Sequence, residues 1–289
     1  MNPFSIQLAS GAAFFEGIAV TAASACALWI FKQPLVRSAA RIIALPGIAI
    51  AAASSTPQPL WLQAAWAVLA FVCMALFHPG APLRWKTVAG AVFLILSVVL
   101  CLSEARHWKL PVIAVTRQPV YVIGDSISAG IGSREETWPA VLARTAHVEI
   151  VNLARPGATL TTAREQAARI TTPGALVILE IGGNDMLNEV KPAVFHERLD
   201  TLLSGLRAQG DSIAMFELPL LPFHNGIGEA QRDLAEKYRV TLIPKRCMAA
   251  IVGMKGGTVD GLHFSQQGHD AFAEIVKGML AVESDPHKT

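Results

Sequence analysis

The stretch Val120-Tyr121-Val122-Ile123-Gly124-Asp125-Ser126-Ile127-Ser128 decides the reading of the second half of the chain. Its first four residues form a compact apolar run rich in β-branched types, and it stops on a glycine before a polar Asp-Ser turn. Such a run, bounded by turn residues, reads as a buried strand. Similar runs follow at Val148-Glu149-Ile150-Val151, Ala175-Leu176-Val177-Ile178-Leu179, Ser212-Ile213-Ala214-Met215-Phe216 and Val240-Thr241-Leu242-Ile243. Helical patterns separate them, from Trp138 to Thr145, Thr161 to Ile170, Val194 to Gln209 and Gly228 to Arg239, with a last helix from Gln266 to Val282. Short buried strands alternating with helices predict a parallel sheet covered on both faces, a three-layer, doubly wound α/β domain. Sites in such domains lie outside the carboxyl ends of the strands.

Residues 1–109 have a different character. They carry seven Lys and Arg against two Asp and Glu, while residues 110–289 carry seventeen against twenty. The chain as a whole is 52% hydrophobic and only 16% charged, where soluble domains average about 25% charged. That balance argues against a disordered chain, a nucleic-acid binder or an ordinary cytosolic enzyme. Four apolar stretches are expected as membrane spans, near residues 11–31, 39–55, 60–77 and 87–102; the second is the weakest, interrupted by Pro46-Gly47. Trp29, Trp61, Trp85 and Trp108 lie at or just beyond the segment ends, where an indole favours the headgroup level.

Basic residues cluster in alternate loops: Lys32, Arg37 and Arg41 in one, Arg84 and Lys86 in the other. The positive-inside rule puts both loops in the cytoplasm and both termini, with the α/β domain, outside. The first segment lacks a basic leader and a clear cleavage mark, so it is read as an uncleaved anchor. Glu16 within it has two readings, a functional acid at membrane depth and, favoured, a protonated or interface-facing residue near a helix end. Cys26, Cys73 and Cys101 lie in apolar runs and Cys247 stands alone in the α/β half, so cysteine neither requires nor excludes an oxidising compartment.

Three polar patterns fall where a doubly wound fold gathers its site. Gly124-Asp125-Ser126 ends the first strand, Gly182-Gly183-Asn184-Asp185 ends the third, and Asp260-Gly261-Leu262-His263 precedes the final helix. The second strand leads into Asn152-Leu153-Ala154-Arg155-Pro156-Gly157. A serine hydroxyl attacks well only when a neighbouring base removes its proton. His263 is the candidate base, and Asp260 is its candidate partner for fixing the tautomer. Stabilising an oxyanion needs preset N–H donors, which Gly157 and the Asn184 amide supply.

These four blocks, in this order, resemble the SGNH (GDSL-type) hydrolase superfamily. The run Gly124 to Gly130 followed by Trp138-Pro139 is most similar to its bacterial thioesterase/lysophospholipase and arylesterase branch. The resemblance covers residues ~118–283 and none of the membrane half. It implies a flavodoxin-like α/β/α fold and an acyl-enzyme mechanism on carboxylic esters and thioesters, without metal or organic cofactor. Residue by residue, it implies Ser126 as nucleophile and oxyanion donor, Gly157 and Asn184 as further donors, His263 as base and Asp260 as its partner. Asp125, Gly183 and Asp185 would support them, the two aspartates by bracing loops.

The expected organisation is a transmembrane region over 1–108, a linker over 109–118 and the hydrolase domain over 119–289, in a bacterial inner membrane with the catalytic domain in the periplasm. A ten-residue linker reaches at most ~35 Å, which favours an acyl-ester substrate at or near the bilayer. Two other readings stand beside this one: an O-acetyl esterase of envelope glycans, and a non-catalytic subunit of a membrane complex. His269 is read as a surface or packing residue, His224 as a turn residue with a substrate-cleft lining as the alternative, and the other histidines lack metal-ligand spacing. The apolar run Leu218 to Phe223 has two open readings, an acyl-chain site or loop packing.

Overall fold

The structure is a computed structural model that describes residues 3–54, 56–78, 80–116, 118–132 and 135–282. It contains a helical unit built on residues 7–108 and an α/β unit built on residues 109–220 and 226–282.

Five α-helices lead the chain: α1 (Pro3–Ser10), α2 (Ala12–Ile30), α3 (Pro34–Ala53), α4 (Leu60–Leu76) and α5 (Leu83–Ala105), the last continuing as a 3-10 turn to Trp108. Gly11, with φ 84°, separates α1 from α2. Helices α2 and α3 cross at two glycines. A β-carbon on Gly17 would stand 2.5 Å from the Gly47 carbonyl and the Ala51 nitrogen, so only glycine permits this approach. The Pro46-Gly47 pair therefore sits inside a continuous 20-residue helix rather than ending it. Trp66 is buried and donates to Ser97 Oγ at 2.9 Å, while Trp29, Trp61 and Trp85 are exposed.

Three helical stretches, Ala12–Ile30, Pro34–Ala53 and Leu83–Trp108, are long and apolar enough to cross a membrane. This corrects the expectation of four. The stretch read as the span 60–77 is helical only from Leu60 to Leu76, 17 residues, or ~26 Å at 1.5 Å per residue. Pro57 and Pro59 delay its start, and His78, which precedes a proline, is disfavoured as helix at its end.

The α/β unit begins with β1 (Ile113–Val115) and continues through β2 (Val120–Gly124), α6 (Ser126–Ala129), α7 (Trp138–Ala146), β3 (Ile150–Asn152), α8 (Leu160–Ala167) and β4 (Leu176–Glu180). It ends with α9 (Gly183–Leu187), α10 (Pro192–Ala208), β5 (Ser212–Phe216), α11 (Asn225–Lys237), β6 (Thr241–Ile243), α12 (Lys245–Gly253), α13 (Gln266–Lys277) and β7 (Leu280–Val282). Five strands make one parallel sheet in the order β3-β2-β4-β5-β6. This is the flavodoxin-like arrangement, with its reversal of direction beside β2. Its two faces carry separate apolar cores, one around Tyr121, Leu179, Phe195 and Met215, the other around Val122, Trp138, Phe216 and Phe272.

Two expectations need correction. The last helix stops at Lys277, and residues 280–282 pair as a parallel strand with Ile113–Val115, inside the stretch read as linker. Ile113 and Val115 are both buried, so their burial commits part of that connector to the α/β unit. The short helices α6, α9 and α12 were not foreseen either; a helix of four or five residues leaves too little periodicity to read.

Candidate functional site

The sheet order builds the site. The chain leaves β2 toward β3 on one side and β4 lies on the other, so the loops after β2 and β4 emerge side by side. Gly124 is in register with Glu180. A β-carbon at Gly124 would meet Ser128 Oγ at 2.7 Å and the Glu180 carbonyl at 3.0 Å. Glycine is thus required for the tight exit from β2. Gln166, buried on α8, donates to the Gly124 carbonyl and accepts its N–H, both at 3.0 Å.

Asp125 caps the short helix that Ser126 opens, accepting the Ile127 N–H at 3.0 Å. Ser126 itself is half-buried. Beneath this turn, Ser128 Oγ donates to Glu180 Oε2 at 2.8 Å and accepts Trp138 Nε1–H at 3.1 Å. Asn152 reaches across from β3 to donate to the Ser128 carbonyl at 2.8 Å. Arg155 N–H bonds the Gly124 carbonyl at 3.2 Å, which ties the second block to the first. Two residues on, Gly157 has φ +73° and open space around its α-carbon.

Asn184 joins three of the four blocks. Its Nδ2 donates to the Ala158 carbonyl at 2.9 Å and to Asp125 Oδ2 at 3.2 Å. Gly183, beside it, sits so close that a β-carbon would stand 3.4 Å from Asp125 Oδ2. Asp185 is fully buried; it accepts the Leu160 N–H at 2.8 Å and a hydrogen bond from Arg198 at 3.2 Å.

The fourth block closes on itself. Asp260 Oδ1 accepts the N–H groups of Leu262 and His263 at 2.9 and 2.8 Å, and its Oδ2 lies 2.7 Å from His263 Nδ1. The His263 ring bond, followed by the two backbone donors, holds the Asp260 carboxyl well below the usual carboxylate range. An imidazole that donates from Nδ1 presents Nε2 as a proton acceptor.

Two buried carboxyls lie under the turn. Burial pushes Asp125 up to about 6, with Asp185 adding to the rise while the Ile127 N–H and His263 oppose it. The fourth block therefore lies within electrostatic reach of the residue preceding Ser126. Glu180 is raised well above the ordinary range, first by burial and then by the charge of Asp125.

Sequence reading did not assign Gln166, Ser128 or Glu180 a role. Glu180 had a signal, a lone acid closing an all-buried strand. Gln166 had none, because its partner is backbone 42 residues away. His269 is a packing residue rather than a surface one: it is buried, its ring meets Phe264 edge-on, and its Nδ1 accepts the Trp138 N–H at 3.2 Å. In the run after β5, Leu218 and Leu220 are buried whereas Leu221 and Phe223 are exposed. Among the described residues, no three His, Cys, Asp or Glu side chains are grouped to hold a metal ion.

Residues 122–271, just over half of the chain, match the model of the GDSL-like Lipase/Acylhydrolase family. The chain is 28% identical over 198 residues to an arylesterase of Vibrio mimicus, an alignment covering 63% of this chain and 94% of that protein. It is also 28% identical over 160 residues to the esterase TesA of Pseudomonas aeruginosa, covering 50% of this chain and 79% of the relative. Among solved structures, the psychrotrophic esterase EstA from Pseudoalteromonas superposes with a TM-score of 0.50 at 17% identity, over 56% of this chain and 95% of that one. That likeness concerns the fold.

Proposed function

The chain belongs to the GDSL-like lipase/acylhydrolase family and is an ester hydrolase of it, and from that premise we propose that it works as a membrane-anchored serine esterase through an acyl-enzyme. Ser126 Oγ attacks the acyl carbon as its proton passes to His263 Nε2. Asp260 holds the His263 tautomer and stabilises the imidazolium that forms. The backbone N–H groups of Ser126 and Gly157 and the Asn184 amide receive the oxyanion. Collapse of the tetrahedral intermediate expels the alcohol or thiol, which takes the proton from His263. Water activated by the same imidazole then releases the acid.

The observation that carries this reading is the 2.7 Å contact between His263 Nδ1 and Asp260 Oδ2. A carboxylate can only accept, so the contact supports a ring proton on Nδ1 and an Nε2 free to act as base. The arrangement of residues 1–108 as the anchor and the α/β unit from residue 109 onward as the catalytic domain completes the proposal. Although α4 is shorter than α2, α3 and α5, it runs from the Gln58–Ser103 end of the helical unit to the Arg41–Phe77 end. Both basic loops therefore share one end, and Lys32, Arg37, Arg41, Arg84 and Lys86 favour a cytoplasmic side for them and an extracytoplasmic side for the catalytic domain. Anchored there, the enzyme acts on acyl lipids or lipophilic esters of the membrane surface.

Detergent-purified protein is expected to hydrolyse p-nitrophenyl acyl esters, and Ser126→Ala to lose at least about 1,000-fold in kcat with unchanged circular dichroism. Full turnover by that variant ends the proposal.

A further inference from the structure

Helices α2 and α3 are joined by residues 31–33, and α4 and α5 by residues 77–82. The two joints lie at one end of the helical unit, because Arg37 and Arg41 of α3 both donate from Nη2 to the carbonyl oxygen of Phe77, the Arg41 bond at 2.8 Å. The Trp29 ring also meets the Phe77 ring edge-on, with centroids 5.4 Å apart. Residues 31–88 contain five Lys and Arg and no Asp or Glu. Two guanidinium groups are thus gathered on one neutral acceptor, with no carboxylate within the segment to balance them.

A helix C-terminus explains part of this, since cations stabilise the last carbonyls of α4. The carbonyl's two lone pairs accept one donor from each guanidinium, which leaves the other donors of both unengaged by it. Each guanidinium has five donors in a planar fork that matches phosphate. Arg37 Nε is buried and has no hydrogen-bond acceptor among the described residues. The surroundings specify more than an anion. Leu35, Leu83 and Trp85 are strongly exposed on the first turns of α3 and α5, and Arg84 lies 5.6 Å above the Trp85 ring. Phosphate-matching donors beside exposed apolar side chains and indoles are the composition of a lipid headgroup level.

We propose that Arg37 and Arg41, gathered on the Phe77 carbonyl, bind the phosphate of an anionic phospholipid whose acyl chains lie along Leu35 and Leu83. This rests on the membrane-anchored part of the reading above and is independent of the esterase chemistry. The site holds a structural lipid, away from Ser126 in the sequence and in its chemistry.

The test uses the full chain purified in mild detergent. Thermal unfolding is followed by tryptophan fluorescence with added dioleoyl phosphatidylglycerol, dioleoyl phosphatidylcholine or inorganic phosphate. Phosphatidylglycerol is expected to raise Tm at least about 3 °C beyond phosphatidylcholine, as for any ligand that binds the folded state alone. Inorganic phosphate at the same concentration is expected to leave Tm unchanged. Arg37→Gln/Arg41→Gln loses the increment, and Arg84→Gln/Lys86→Gln keeps it. Native mass spectrometry of the wild-type protein, which needs no variant, is expected to find one retained anionic lipid per chain. Equal shifts with both lipids, a matching shift with phosphate, equal loss in the two double variants, or no retained lipid overturns the proposal. Turnover of p-nitrophenyl butyrate, recorded on the same samples, separates failure of this site from failure of the esterase reading.

Discussion

Asn184 gives one amide hydrogen to Asp125 Oδ2 at 3.2 Å and the other to the Ala158 carbonyl at 2.9 Å. Both donors of the side chain are therefore committed before any substrate arrives. The longer of the two bonds faces the residue next to Ser126, so an oxyanion at Ser126 would compete with Asp125 for that hydrogen. Asp125 orients the amide and also restrains it.

Replacing Asp125 by Ala should leave the amide held only at Ala158. Kinetics on p-nitrophenyl butyrate should show kcat falling about 10- to 100-fold, with KM changing less than about threefold, as expected where transition-state rather than ground-state contacts are lost. A change confined to KM would assign Asp125 to substrate binding instead.

The raised carboxyl of Asp125 also shapes stability. Its folded value of about 6 lies above its ordinary 3.8, so between these limits the folded chain binds more protons than the unfolded chain. Stability therefore falls as pH rises from about 4 to 6, by up to roughly 3 kcal/mol for this buried group. Glu180, shifted in the same direction, extends the fall to higher pH. Melting curves across this range should flatten in Asp125→Asn. A wild-type protein that gains stability over the same window contradicts the assignment.

Glu180 tests burial against charge. Because its carboxyl favours the neutral form, Glu180→Gln keeps an acceptor for Ser128 Oγ and should change stability by less than about 1 kcal/mol. Glu180→Ala strips the partner from that buried hydroxyl and opens a cavity, which should cost about 2–4 kcal/mol. Denaturant unfolding of the two variants measures the difference.

Gly124 and Gly157 should respond differently to alanine. At Gly124 the new β-carbon meets Ser128 Oγ at 2.7 Å and backbone at 3.0 Å, so packing should be lost by about 1–3 kcal/mol. At Gly157 the space is open and only the positive φ opposes the change, a cost of about 1 kcal/mol. Thermal melts should rank the two in that order.

Much of this fold could be read from local pattern. All five strands of the main sheet lie within two residues of their apolar runs, because strands buried on both faces leave continuous signals such as Val120 to Ile123. The Asp260 and His263 pair was legible because its spacing is local. The β1 and β7 pairing was not, since three-residue strands 167 positions apart have no pattern until Ile113 meets Leu280. The same holds for Gln166 and Glu180, whose roles depend on backbone and hydroxyl partners brought in by the sheet. The span count failed at α4 for a different reason: hydropathy marks the apolar stretch, whereas prolines set where the helix starts and stops.

The central claim is that Ser126 is the residue that carries the acyl group. Intact-mass analysis after treatment with a fluorophosphonate, followed by peptide mapping, tests it most directly. One adduct per chain, on Ser126 and absent from Ser126→Ala, is the predicted result. An unlabelled wild-type chain, or an adduct on another residue that persists in Ser126→Ala, would contradict it.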